Sequence, residues 1–161
     1  MRNLRVKERE VARYVKQVFA KQHSIVVDES VGPSRRRPDL LIKINALRVI
    51  VEVDERQHGS YDKTAEQQRV EDLKRDLNAP LVLIRFNPDA YRTAEGLQHG
   101  CFSLDRATKR LYVSNYAEWV ERLKVLRVTI ENARDSAREA IESGFREVKL
   151  FFSSIKNKEI S

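Results

Sequence analysis

An α/β fold built on one mixed sheet with helices packed against it is predicted by three features of the sequence. The first is an amphipathic helical stretch at the start of the chain. The second is three short β-branched runs separated by turn residues. The third is a polar-faced helical stretch that leads directly into the continuous apolar run PLVLIRF. A strand, a helix and a strand in that order form a crossover, which sets the last strand parallel and, by the usual rule, right-handed.

The elements follow in order. Leu4, Val11, Val15 and Val18 recur at helical spacing, with Tyr14 and Phe19 beside them, and predict a helix over about residues 4–20. Glu8 falls on that apolar stripe, four residues after Leu4 and three before Val11, where an acid requires a partner. Glu10 points off the stripe towards solvent. Ile25–Asp28, Asp39–Ile44 and Arg48–Asp54 read as strands, punctuated by Gly32-Pro33 and Asn45-Ala46. The short gap at Asn45 makes the second and third an antiparallel hairpin. A helix over about residues 63–77 turns Val70, Leu73 and Leu77 inward, and residues 80–86 form a buried strand. Residues 87–114 read as irregular or as a small hairpin. A long helix over about 115–143 carries Trp119, Leu123, Leu126 and Ile130 and stops at Gly144; residues 148–152 supply an edge strand. The whole is one domain of 161 residues, an α-β-β-β-α-β core over about 4–91 with a helical extension over about 115–155.

Composition narrows the class. Hydrophobic residues are 41% and charged residues 34% of the chain, as in a folded globular domain. No apolar run approaches the roughly 20 residues of a membrane span, and the first residues lack a signal-peptide core, so no membrane partner is expected. The lone Cys101 excludes an internal disulfide and favours a reducing, intracellular setting. The formal charge of +7 suits a polyanionic partner such as nucleic acid.

Within that basic chain, two acids stand where a hard cation would need them. The turn near Asn45 folds Asp39 back to within about one residue of Glu52, and opposite residues on paired strands hold their Cβ atoms roughly 5 Å apart. Magnesium takes one or two carboxylates together with waters and phosphate oxygens, and the Val53 carbonyl adds a further ligand from the same strand. Glu52 and Asp54 share a strand face. Two acids at the end of an apolar strand are costly without a cation, unless the strand there emerges into water. Arg35, Arg36 and Arg37 precede Asp39 and are placed to grip a phosphate strand or to form a charged loop. Glu66 and Arg69 lie on the inward stripe of the middle helix, so Arg69 is expected to meet a phosphate or Glu66. Arg85 interrupts a buried run and is a similar candidate. His58 is either a water-orienting imidazole or a loop residue; His23 and His99 gain nothing from their spacing. Tyr61 and Tyr91 read as bases' stacking partners or, more simply, as packing.

Pro38-Asp39 followed by Glu52-Val53-Asp54 resembles the signature of the PD-(D/E)XK, or restriction-endonuclease-like, nuclease superfamily. RRRPDLLI, VIVEVDERQHGSY and LVLIRFNPDAY are similar to restriction-endonuclease-like proteins of large DNA viruses and some microbial eukaryotes. EVDERQH also resembles very-short-patch repair endonucleases. The resemblance covers about residues 7–91 and more weakly the Trp119 helix. It implies a Mg²⁺- or Mn²⁺-dependent endonuclease acting on DNA, with Asp39 and Glu52 as metal-binding acids and Glu8 as the acid many members carry on the first helix. Dimers are common in that superfamily, so a homodimer is compatible. Asp54 stands where the superfamily places lysine, and an aspartate supplies no positive charge. Three readings follow: Asp54 is a further metal ligand with His58 or a displaced basic residue replacing the lysine, or it is a general base, or catalysis is lost. The competing functions are a non-catalytic nucleic-acid-binding module, an RNA-cleaving nuclease, and a subunit that docks a partner through the Trp119 helix.

Overall fold

The computed structural model describes residues 5–54 and 62–154. The expectations for His58 and Tyr61 lie outside the described residues, as does that for Leu4. Four strands form the predicted hairpin and crossover: β1 (Ser24–Val27), β2 (Leu40–Ile44), β3 (Leu47–Val53) and β4 (Leu81–Phe86). A fifth, β9 (Phe145–Leu150), completes a mixed sheet ordered β1-β2-β3-β4-β9. The first two pairings are antiparallel and the last two parallel. The edge strand thus starts three residues before its expected position and joins the main sheet, so the C-terminal segment belongs to the central layer.

Strand alternation divides the core in two. Leu40 and Ile42, Val49, Val51 and Val53, and Val82, Ile84 and Phe86 face one side. There they meet α1 (Val6–Phe19), α3 (Tyr116–Asp135) and α4 (Ala137–Ser143), which bring Val11, Val15, Phe19, Trp119, Leu126, Ile130 and Ala140. Leu41, Ile50, Leu81 and Leu83 face the other side, where α2 (Lys63–Leu77) supplies Leu73. The sequence periodicity carries both assignments. The crossovers from β3 to β4 and from β4 to β9 advance in the same direction over opposite faces, so they have opposite hands.

Local chemistry sets the boundaries. Asp62 caps α2 by accepting from the Thr64 N–H at 2.8 Å, and Asn78 closes it at φ 44°. The predicted single helix over 115–143 is instead two, separated at Ser136 (φ −100°, ψ 23°). Asp135 and Ser136 compete for backbone hydrogen bonds and favour caps over helix interiors, which accounts for the break. Gly144 ends α4 at φ 77° as expected. Between β4 and α3 the chain forms two hairpins, β5 (Tyr91–Thr93) with β6 (Gly96–Gln98) and β7 (Phe102–Leu104) with β8 (Leu111–Val113). No described helix is long and apolar enough to cross a membrane. Cys101 is buried, and burial pushes its thiol up to about 11, so it is no nucleophile at neutral pH.

One charged side chain ties these parts together. Arg122 of α3 is fully buried. It donates to the carbonyl oxygens of Asn87 at 2.9 Å, Asp89 at 2.8 Å and His99 at 2.8 Å, and pairs with Glu118 at 2.9 Å. The rings of Tyr91 and Phe151 lie 5.1 and 5.0 Å from its guanidinium. Removing it leaves three carbonyl oxygens without their donor. Arg122→Met is expected to cost about 3–5 kcal/mol in urea denaturation, and Glu118→Gln clearly less, because the carbonyl and ring contacts remain.

Candidate active site

The site stands at the carboxyl end of β3 and β4, on the α2 face. The β2–β3 turn holds Asn45 at φ 52° and closes on the pair Ile44–Leu47, and the ladder runs from there to Leu40–Val51. One step further places Asp39, just before β2, opposite Glu52. The Asp39 N–H donates to Glu52 Oε2 at 3.2 Å, and Asp39 Oδ2 accepts from the Val53 N–H at 2.8 Å. On the next strand Arg85 is the register partner of Glu52.

These residues line a cleft of about 610 Å³ together with Glu8, Arg36, Asp54, Asp62, Ala65, Glu66 and Arg69. Six carboxyl groups therefore face three guanidinium groups, an acidic excess inside a protein of net charge +7. Burial, then the negative charges of Glu52 and Glu8, push the Asp39 carboxyl up to about 8 against the opposing Val53 N–H. Arg69 donates to Glu52, and Arg85 pairs with Glu66, with Asp54 at 3.3 Å and with Glu147 at 3.7 Å. Burial disfavours both guanidinium charges, yet Glu52 beside Arg69 and Glu66 beside Arg85 outweigh it and hold both above their ordinary value. The donors suited to a hard cation are the Asp39 and Glu52 carboxylates and the Val53 carbonyl. Among the described residues no group of three or more His, Cys, Asp or Glu side chains is assembled to hold a metal ion.

The loop that delivers Asp39 is fastened to α2. Arg36 Nε meets Asp72 at 3.0 Å, and Ser34 donates through its hydroxyl and its N–H to Asp76. Hydrogen bonds from Gln68, then Arg36 and Arg75, hold the Asp72 carboxyl below its usual range. A Cβ on Gly32 would lie 2.6 Å from Asp76 Cβ, so the close approach of loop to helix requires glycine here. The same helix carries Glu66 and Arg69 into the cleft, and this clamp therefore fixes the acids against their arginines.

Of the residues expected at the site, Glu8, Asp39, Glu52, Val53, Asp54, Arg36, Arg69 and Arg85 line one cleft. Two do not: Arg37 turns to Asp28, and Arg35 is exposed at φ 61° away from the cleft wall. The backbone reversal that forms the loop sends alternate side chains outward. Arg69 pairs with Glu52 where Glu66 was the expected neighbour, because Arg85 claims Glu66. Glu10, expected in solvent, is half-buried and pairs with Arg13 at 3.4 Å. Sequence reasoning missed Asp62 as a wall residue and the Asp72–Asp76 clamp; the Asp62 signal was its place one residue before the α2 stripe.

The raised Asp39 carboxyl has a consequence for stability. The folded protein binds this proton more tightly than the unfolded chain, so the contribution is full below about 3.8 and is lost as pH rises towards about 8. In chelator, the difference in unfolding free energy between wild type and Asp39→Asn should therefore shift against the wild type across pH 4 to 8; a flat difference would contradict the buried pair.

Comparison with known proteins gave no match: no family model, curated protein or solved structure is similar to the chain.

Proposed function

We propose that the protein is a metal-dependent nuclease that hydrolyses phosphodiester bonds in DNA, using a Mg²⁺ or Mn²⁺ ion held by Asp39, Glu52 and the Val53 carbonyl. The observation that carries this reading is the pair of adjacent, desolvated carboxylates in an acid-rich cleft of a basic protein. Hard oxygen donors of this kind, two carboxylates with room for water and phosphate, suit magnesium. The likeness of Pro38-Asp39 and Glu52-Val53-Asp54 to the PD-(D/E)XK signature supports the same assignment, and the α-β-β-β-α-β order agrees with it.

A bound ion supplies an acidified water and neutralises charge at the scissile phosphate. The chain's own residues do the rest. Glu8, on α1, adds negative charge at the Asp39 side of the cleft. Arg69 pairs with Glu52; with a cation held by Asp39 and Glu52, its guanidinium would be free to meet a phosphate oxygen. Asp54 does not join the metal in this reading. It is buried against Arg85, which brings a guanidinium beside the position that lysine holds in the superfamily. Arg85 is thus the displaced basic group, oriented by Asp54, Glu66 and Glu147.

A second reading, a nucleic-acid-binding module without catalysis, is favoured by one observation: arginines already neutralise Glu52 and Asp54. An RNA substrate would be held by the same chemistry.

Supercoiled plasmid and labelled single-stranded DNA, each with Mg²⁺ or Mn²⁺, separate these readings. Cleavage should be lost to the chelator control level in Asp39→Ala and Glu52→Ala, and Arg85→Gln should slow it by about 10²-fold or more. DNA binding with no cleavage in either metal would favour the binding module. Calorimetric Mn²⁺ titration gives a separate check on Arg69: Arg69→Gln should bind the ion more tightly than wild type while cutting more slowly, and unchanged or weaker binding would refute the exchange of partners.

A further inference from the structure

We propose that the β7–β8 hairpin is a second nucleic-acid contact, in which Arg106 and Arg110 hold backbone phosphates and Tyr112 stacks on an unpaired base. The inference rests on the nuclease reading for its substrate class, but its residues lie outside the cleft.

The hairpin tip concentrates positive charge. Several exposed basic side chains elsewhere are matched by acids, among them Arg37 by Asp28, Lys124 by Glu121 and Arg127 by Glu131. The connection between β7 and β8, Asp105-Arg106-Ala107-Thr108-Lys109-Arg110, carries three basic residues and one acid. That acid is turned inward. Asp105 accepts from the N–H groups of Ala107 at 2.9 Å and Thr108 at 2.8 Å, and the Thr108 N–H leads in holding its carboxyl below the usual range. Its N–H also bonds the Arg110 carbonyl at 2.9 Å, and the Lys109 N–H returns to the Asp105 carbonyl at 2.9 Å. The tip is a closed, hydrogen-bonded loop whose only carboxylate is occupied by its own backbone. Arg106 and Arg110 are exposed and form no ion pair among the described residues. A rigid loop that presents guanidinium groups without an acid to satisfy them suits phosphate oxygens.

The faces of the hairpin point the same way. Phe102 and Val113 pair across the ladder and pack on the main core, and the Phe102 ring meets Trp119 at 5.0 Å. The alternate positions face outward: Ser103 pairs with Tyr112, and Arg110 shares Tyr112's side, two residues away. Tyr112 is 49% exposed, so half of a ring that the fold does not use stands beside a guanidinium. Aromatic and cationic side chains on one strand face are the elements that bind unpaired nucleotides.

Position connects the hairpin to the cleft. Lys7 lies over the Phe102 ring at 5.9 Å and pairs with Asp89 at 2.7 Å, while its neighbour Glu8 lines the cleft. The base of the hairpin is thus joined through Lys7 to the helix that brings Glu8 to the cleft.

The test is fluorescence anisotropy in chelator, which reads binding without cleavage, using a labelled single-stranded oligonucleotide and the duplex of the same length over a series of salt concentrations. Arg106→Gln/Arg110→Gln should flatten the slope of log affinity against log salt by about 1.4 on the single strand, from two lost phosphate contacts. Tyr112→Ala should weaken single-strand binding roughly tenfold and leave the duplex unchanged. Thermal melting of these surface variants should match wild type. A wild type that binds while the double variant keeps the same slope overturns the hairpin contact and leaves the nuclease reading standing. A wild type that binds neither oligonucleotide overturns the nucleic-acid reading and this inference with it.

Discussion

The register of the β2–β3 hairpin is the constraint on which the site depends. A two-residue turn with Asn45 in the left-handed region fixes which residues face one another, and Arg48 reinforces it by donating to the Asn45 carbonyl at 2.8 Å. Side chains alternate along a strand, so a slip by one residue would send Glu52 into the Phe86–Trp119 core and Val53 into the cleft. The apolar residues of β2 and β3 resist that slip on both faces. The energy that places two acids together is therefore supplied by leucines, isoleucines and valines that take no part in the chemistry.

A pair of acids so placed is unfavourable in its own right. Burial and mutual repulsion both raise the cost of ionising Asp39. The protein meets that cost with Arg69 on Glu52 and with the Asp39–Val53 hydrogen bond, and meets the parallel cost at Asp54 with Arg85. Each arginine is in turn desolvated, and Arg85 is held further by Glu66 on α2 and Glu147 on β9. The result is a network of linked charges in which a change of one member is felt by the others.

How much of this was legible follows from the length over which each pattern repeats. The acids on β2 and β3 could be placed because two alternating strands and one short turn leave little freedom of register. Glu66 and Arg69 could be turned inward because they fall on a stripe with Val70 and Leu73. Residues 87–114 could be read no further than irregular chain or a small hairpin, and two hairpins are present: their strands are three residues long, too short for alternation to stand out. Arg122 was passed over for a different reason. Three residues after Trp119 and one before Leu123, it holds a core position, but a charge on an amphipathic helix reads as solvent-facing unless its carbonyl partners are known. Those partners come from segments that only the tertiary fold brings to it. The break at Ser136 was visible in Asp135-Ser136, though the apolar stripe on either side concealed it.

The last strand has a bearing on how the protein reaches its working form. β9 is separated from β4 by the hairpins and two helices, yet it covers one side of β4 and supplies Glu147 to Arg85. Such a distant pairing has a large loop-closure entropy and comes late in folding. Until it forms, β4 is an open parallel edge, and Arg85 lacks one of the carboxylates that aim it. A chain emerging from the ribosome would thus carry Asp39 and Glu52 side by side well before the guanidinium beside them is set, so that assembly of the charge network waits until β9 has been made.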